Sequence, residues 1–352
     1  MYTTCIYCMQ GLFFSSSTLA VTLSTKLTGN TEASAWICNG CMRKKMKIEM
    51  QMINKYEKQS MKHEHKNNNL TKSTMKLIFD EKEFKNLLSN LKIEKTVSGG
   101  SVANSVVGLS QLGNKVGFIG KVCDDELGAK YEEGLKNEKV EYFYSKKKEE
   151  LPTGTCLILV TPDSERTMCT FLGTAGKVNE NDVSLEAIKK SEIIFLEGYL
   201  WDEGDPKKAF EKAIQNANKV AMSLSDQFCV DRHKPHFLEL VKSKLDITFA
   251  NEQEISSLID AKNFDEVITF SKSLEKTIVV TRGEKGAVAI NGNEVVECGV
   301  KEGLKIVDLT GAGDLFAGGF LHGQVNNMSL KDSLEKGTEM SSKVIQQIGA
   351  RL

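Results

Sequence analysis

From about residue 90 onward, short apolar runs alternate with segments whose apolar positions recur at helical spacing. The runs Val116–Val122, Cys156–Thr161, Ile193–Glu197, Val220–Leu224, Asp246–Phe249, Thr277–Val280 and Lys305–Asp308 have the pattern of buried strands. Between them, Asp125–Asn137, Lys207–Asn218, Pro235–Lys244, Gln253–Ile259, Asp265–Leu274 and Gly313–Gly323 carry helical patterning. This alternation predicts an α/β fold, a mostly parallel, doubly wound sheet with helices on both faces. Ligands of such sheets sit beyond the carboxyl ends of the strands. The residues best suited to chemistry fall there. Asp226 follows one strand, Asn251 the next, Thr281-Arg-Gly283 another, and the turn at Gly311 another.

Bulk properties add bounds. The chain has 352 residues, 40% hydrophobic and 26% charged, with a formal net charge of −1. That suffices for one large α/β domain and something extra. Balanced charge gives no reason to expect nucleic acid or a membrane surface as partner, and no apolar run is long enough to span a bilayer. Cys123, Cys156, Cys169, Cys229 and Cys298 are scattered, as reduced, packed thiols would be. The other four cysteines lie within the first 41 residues.

Two glycine motifs carry the candidate chemistry. In Asp308-Leu-Thr-Gly311-Ala-Gly313-Asp314, a glycine turn runs into a segment with helical apolar spacing at Leu315, Phe316, Phe320 and Leu321. Such a turn points backbone N–H groups at one spot, where the helix dipole adds partial positive charge, making an anion hole. A carboxylate beside that hole cannot bind a phosphate, but it can take a proton from a hydroxyl that attacks phosphorus. Read by itself, the stretch is equally a plain strand–turn–helix with Asp314 as a first-turn acid. The second motif is Ser98-Gly-Gly100-Ser-Val-Ala-Asn104-Ser-Val-Val-Gly108-Leu-Ser-Gln-Leu-Gly113. Its glycines allow close approach of backbone to ligand, and Asn104 offers both a donor and an acceptor to hydroxyls. Alone, Gly-Gly-Ser is a flexible turn.

Together and in this order, the two stretches resemble the signatures of the ribokinase-like carbohydrate and nucleoside kinases, the PfkB family. The resemblance covers about residues 68–352 and implies a three-layer αβα sandwich with a small β lid, its lid segments at about 90–100 and 153–173. It makes Gly311, Ala312 and Gly313 the anion hole, Asp314 the catalytic base, and Gly99, Gly100, Ser101 and Asn104 the acceptor-binding set. Asn251-Glu-Gln-Glu254 resembles the family's Asn-x-x-Glu motif, which implies Mg²⁺ held by Glu254 through water; on its own residues the stretch is also a solvated helix start. Thr281-Arg-Gly283-Glu-Lys-Gly286 resembles the nucleotide-binding turn, and Gly349 joins the implied ATP-binding set. Asp308 is the implied monovalent-cation (K⁺) residue. No Walker-type or protein-kinase motif occurs.

Finer resemblance, in Leu157–Met168, Leu196-Glu-Gly-Tyr-Leu-Trp201, Ser225–His233 and Ile348-Gly-Ala-Arg351, is to the bacterial adenosine-kinase-like branch. It implies ATP and Mg²⁺ as cofactors and γ-phosphoryl transfer to the primary hydroxyl of a small-molecule acceptor, adenosine first. A cytoplasmic monomer or homodimer is expected. A sugar kinase for ribose, fructose or a keto-sugar acid is the alternative, and a nucleotide-binding pseudoenzyme is the reading from another class. Phe171, Leu172 and Tyr199 suit either a purine contact or ordinary packing.

Residues 1–67 stand apart. Members of the family begin with a strand carrying Gly-Asn-x-x-x-Asp, which is not found here. A Met-, Ser- and Lys-rich leader takes its place, ahead of Leu70–Asp80. Cys5-x-x-Cys8 and Cys38-x-x-Cys41 invite a zinc reading, but hairpin patterning is lacking. Gly11–Leu23 faintly resembles a signal peptide without its basic start. The expectation is a disordered or misassigned leader outside the kinase domain.

Overall fold

In the computed structural model, which describes residues 5–9, 17–18, 75–77, 80–89, 96–144, 148–160, 166–201 and 205–352, the alternation becomes a nine-stranded sheet. Across it lie Glu294–Cys298 (β14), Ala287–Asn291 (β13), Thr277–Thr281 (β12), Ile247–Asn251 (β11), Val220–Ser223 (β10), Ile193–Glu197 (β9), Cys5–Met9 (β1), Lys115–Ile119 (β5) and Glu141–Tyr142 (β6). Neighbours run parallel except at β12–β13 and β13–β14.

Side-chain alternation along the central strands feeds two cores. Ile193 and Phe195 of β9 enter one, and Ile194 and Leu196 the other. Val279 of β12 joins the first, while Ile278 and Val280 join the second. Strands apolar on both faces need helices on both faces. Ser101–Gln111 (α2), Glu126–Asn137 (α3), Ala312–Val325 (α9) and Leu330–Val344 (α10) cover one side. Leu185–Lys190 (α4), Asp205–Asn216 (α5), Gln227–Ser243 (α6), Glu252–Ile259 (α7) and Phe264–Lys272 (α8) cover the other. Phe118, Phe195, Phe210, Phe237 and Phe320 are fully buried, and each such side chain contributes about 1.5–3 kcal/mol. A small sheet of Met75–Leu77 (β3), Arg166–Phe171 (β8) and Thr155–Val160 (β7) forms the lid, beside Glu81–Ser89 (α1) and a short pair of Ser17–Thr18 (β2) with Val97–Ser98 (β4).

Three expectations are corrected. The leader is not wholly outside the core: β1 pairs in register with β5 over Cys5–Met9 and with β9 over Ile6–Cys8. β1 thus stands between β5 and β9, and its sequence contains no carboxylate. Cys5 and Cys8 fall in that strand, and Cys38 and Cys41 lie outside the described residues. Second, Lys305–Asp308 is not a buried strand. Ile306 is 52% exposed, and the N–H groups of Val307 and Asp308 donate to Ile345 O. Third, α6 starts at Gln227 and not at Pro235, because Asp226 caps it by accepting from Phe228 N at 3.0 Å. Pro235 is accommodated by a kink at His233, the usual accompaniment of proline within a helix.

Candidate active site

The carboxyl ends of β9 to β12 open onto a cavity of about 300 Å³ that also receives both glycine motifs. Gly311 sits at the N-cap of α9 with φ 81° and no side-chain cap. The Ala312 N–H is turned back to Leu309 O at 3.3 Å, so it is the N–H groups of the flanking Gly311 and Gly313 that are available to an anion, where the helix dipole favours one. Only glycine fits there. The φ is left-handed, and a Cβ would lie 2.7 Å from Ala350 Cα. The turn is shaped by Asp308, which is 3% exposed. Its carboxylate accepts from Thr310 N at 2.9 Å, Thr310 Oγ1 at 2.6 Å and Gly349 N at 3.0 Å. Two turns of sequence far apart in the chain are thus tied to one buried acid.

Asp314, the third residue of α9, faces the start of α2. It accepts from Ser101 Oγ at 2.6 Å and from Asn104 Nδ2 at 2.8 Å. The candidate base and the candidate acceptor-binding set are therefore one hydrogen-bonded unit. Gly100, the N-cap of α2, has φ 111° and likewise no side-chain cap. Gly99, Gly100, Ser101 and Asn104 all line the cavity.

Glu197, at the end of β9, is a residue that motif reading passed over. It is 1% exposed, and neither carboxylate oxygen closes a hydrogen bond of normal geometry, although the Ser101 hydroxyl and Val102 N–H lie against it. Burial, and then the charge of Asp314, push its carboxyl well above the usual carboxylate range. The acid pushed toward its protonated form thus sits beside the candidate base, two neighbouring carboxyls in unlike surroundings. Arg351 was also passed over. It donates from Nε to Asn104 Oδ1 and from Nη2 to Gly99 O, both at 2.9 Å. Both residues fall within stretches that resemble the adenosine-kinase-like branch, Leu196–Trp201 and Ile348–Arg351, and that was the only available signal.

On the other half of the cavity, Asn251 and Glu254 form a capping box at the start of α7. Asn251 Oδ1 accepts from Glu254 N at 2.8 Å, and the Glu254 carboxylate accepts from Asn251 N at 2.9 Å and Asn251 Nδ2 at 2.6 Å. This is a helix start, but not a solvated one, since Glu254 is 5% exposed. Burial first, and the charge of Asp226 after it, push Glu254 up to about 7 against the pull of the Asn251 N–H. A buried, cavity-lining carboxylate that remains close to neutral pH in its titration fits a cation brought in with a ligand. Among the described residues no cluster of three or more His, Cys, Asp or Glu could hold a metal alone, so a divalent ion here would rest on one carboxylate with ligand and water oxygens.

Thr281, Asp308, Gly349 and the turn Gly311–Gly313 line the cavity as well. Gly283 and Gly286 stand beyond its wall, in a short turn closed by Arg282 N donating to Gly286 O at 2.8 Å. Of the three apolar candidates, Tyr199 is on the wall, with its hydroxyl donating to Ser225 O at 3.0 Å. Phe171 instead stacks on Phe84, ring centroids 5.9 Å apart, and Leu172 packs against the core. The lid contributes Ile158 and Met168 to the wall.

Residues 67–352 match the pfkB family of carbohydrate kinases. The chain belongs to this family. It is a phosphotransferase acting on a hydroxyl, a sugar or nucleoside kinase with the ribokinase-like fold. Among solved structures, adenosine kinase from Sinorhizobium meliloti is 35% identical with a TM-score of 0.77, covering 80% of this chain and 88% of its own. A probable sugar kinase from Rhizobium etli CFN 42 is 31% identical with a TM-score of 0.82, covering 100% of this chain and 96% of its own. Adenosine kinase of Schizophyllum commune is 29% identical over 285 residues, 72% of this chain and 80% of that protein. A family kinase is expected to use ATP and Mg²⁺. No helix among the described residues is long and apolar enough to cross a membrane.

Proposed function

We propose that this kinase moves the γ-phosphoryl group of ATP to the primary hydroxyl of a nucleoside, adenosine first. One observation carries the reading: Asp314 stands beside an uncapped helix N-terminus and is bonded directly to Ser101 and Asn104. A hydroxyl held by Asn104 and Ser101 lies within reach of a carboxylate that can take its proton. The turn Gly311-Ala312-Gly313 at the start of α9 would face the charge of the transferring phosphoryl group, with the Gly311 and Gly313 N–H groups as donors. Buried Glu197, its carboxyl pushed well above the usual range, stands beside this base.

Asn251, Glu254, Thr281 and Gly349, with Gly283 and Gly286 on the adjoining turn, form the proposed ATP side. Glu254 would hold Mg²⁺ through water, and that ion would supply charge neutralisation at the phosphates. A K⁺ ion would lie at Asp308, whose oxygens already hold the turn. Residues 68–352, together with the sheet strand Cys5–Met9, are the proposed kinase domain, in a cytoplasmic monomer or homodimer.

Adenosine is favoured by the apolar wall of Tyr199, Ile158 and Met168, which can cover a base, and by similarity to adenosine kinases. The second reading, a sugar kinase, draws on the likeness to the Rhizobium etli protein over the whole chain. Coupled ADP-release assays with adenosine, ribose and fructose decide between them. The highest kcat/KM should belong to adenosine, and a higher value for either sugar overturns the preference.

A further inference from the structure

We propose that Arg351 is a positioning residue for the acceptor side of the site, acting through Asn104 on Asp314. The inference rests on the reading of Asp314 as the base. A side-chain amide can be turned either way round, and its two ends have opposite hydrogen-bonding character. Arginine has donors only. With Arg351 Nε on Asn104 Oδ1 at 2.9 Å, the end of Asn104 that faces Asp314 must be Nδ2, and it donates to Oδ2 at 2.8 Å. Release of the guanidinium leaves Asn104 Oδ1 without this donor in a residue only 2% exposed, so the side chain loses the anchor that holds Nδ2 on Asp314.

The second arm of the fork does separate work. Nη2 holds Gly99 O at 2.9 Å, in the turn between lid strand β4 and helix α2. One planar group thus fixes the orientation of Asn104 and the backbone that leads into it. A lysine ammonium is a single point on a flexible stem and does not reproduce a fork.

Its neighbours reinforce the assignment. Gly349 N donates to Asp308 Oδ2 at 3.0 Å, and Ala350 packs so close to Gly311 that only glycine fits there. Three successive residues therefore touch, in turn, the acid of the turn, the anion-hole glycine and the acceptor asparagine. The segment Gly349–Arg351 is laid along the site as a brace.

The test uses the full chain with Arg351→Ala, Arg351→Lys, Asn104→Ala, the Arg351→Ala/Asn104→Ala double variant, and Asp314→Asn as reference. Arg351→Ala should lower kcat/KM for the acceptor on the order of 10- to 100-fold, the scale of a misplaced reacting group, with Kd for ATP unchanged. Added guanidinium chloride at millimolar concentration should restore part of kcat in Arg351→Ala. Arg351→Lys should remain impaired, and the double variant should lose less than the sum of the two single losses, because the Asn104 contact is shared by both residues while the Gly99 contact belongs to Arg351 alone. Should Arg351→Ala fail to fold, Arg351→Lys and the Asn104 cycle built on it carry the same comparison. Normal acceptor kinetics, a loss confined to ATP affinity, or fully additive losses overturn the proposal. If Asp314→Asn abolishes turnover while Arg351→Ala does not, this inference alone fails; if Asp314→Asn turns over normally, the base assignment fails first.

Discussion

Replacing Asp314 with Asn removes a proton acceptor while leaving the shape of the site. The carboxylate now accepts two hydrogen bonds, from Ser101 Oγ at 2.6 Å and Asn104 Nδ2 at 2.8 Å. An amide oxygen can keep the Asn104 bond, and the amide N–H can donate to Ser101 Oγ, whose hydroxyl turns to accept. Both contacts then survive as neutral bonds. Bonds to a charged group contribute about 1.5–3 kcal/mol and neutral ones about 0.5–1.5 kcal/mol, so the exchange costs about 2–3 kcal/mol for the pair. A change of that size moves Tm by only a few degrees in a chain of this length. The chemical step responds on a different scale. A lost general base costs about 10²- to 10⁴-fold in rate, or about 3–5 kcal/mol of barrier. The expected signature is a collapse of kcat in a coupled ADP-release assay, with ATP binding by calorimetry preserved and the melting curve nearly unmoved. A folded Asp314→Asn protein with near-normal kcat refutes the reasoning.

Glu254 is poised near pH 7 by burial, and a bound cation favours its carboxylate form, so Mg²⁺–ATP binding at neutral pH should release protons and weaken as pH falls below about 7. Calorimetry in two buffers of different ionisation heat reads this, and Glu254→Gln should abolish the release and raise the Mg²⁺ requirement with acceptor KM unchanged; an effect limited to acceptor KM contradicts it. Gly311→Ala forces a Cβ to within 2.7 Å of Ala350 Cα at a φ of 81°, so it should lose about 1–3 kcal/mol of stability together with turnover, and an unchanged melt counts against the packing. Deleting residues 1–67 takes β1 from between β5 and β9, unpairing buried backbone groups at about 1–3 kcal/mol each; a truncated protein as stable as the full chain would show that the leader strand is dispensable.

Strands apolar on both faces were readable because burial on both sides leaves one pattern. Ile193–Glu197 appears with the bounds its apolar run suggests. The helix after Asn251 starts within one residue of its expected position because Asn251 and Glu254 are a local capping box. Lys305–Asp308 looks the same in sequence and forms no strand, since its donors are claimed by Ile345, a partner no local pattern reveals. The strand Cys5–Met9 was hidden for the same reason. Nothing in the leader's composition marks it, and its place is defined by the gap between β5 and β9.

In the site, the glycines were legible because single-residue backbone demands leave a mark in sequence. The bond from Ser101 to Asp314 was not, although both residues were singled out, because it joins turns 213 residues apart. Arg351 and Glu197 act through tertiary neighbours and burial, which spacing does not encode.

The account's central claim is acceptor-dependent phosphoryl transfer in this one cavity. It is tested most directly by incubating the full chain with γ-labelled ATP, Mg²⁺ and adenosine, and following the label. The account predicts labelled adenosine monophosphate, formed only when both adenosine and Mg²⁺ are present and lost in Asp314→Asn. Tight ATP binding with no label transferred to adenosine, ribose or fructose would contradict it and leave a nucleotide-binding protein without kinase activity.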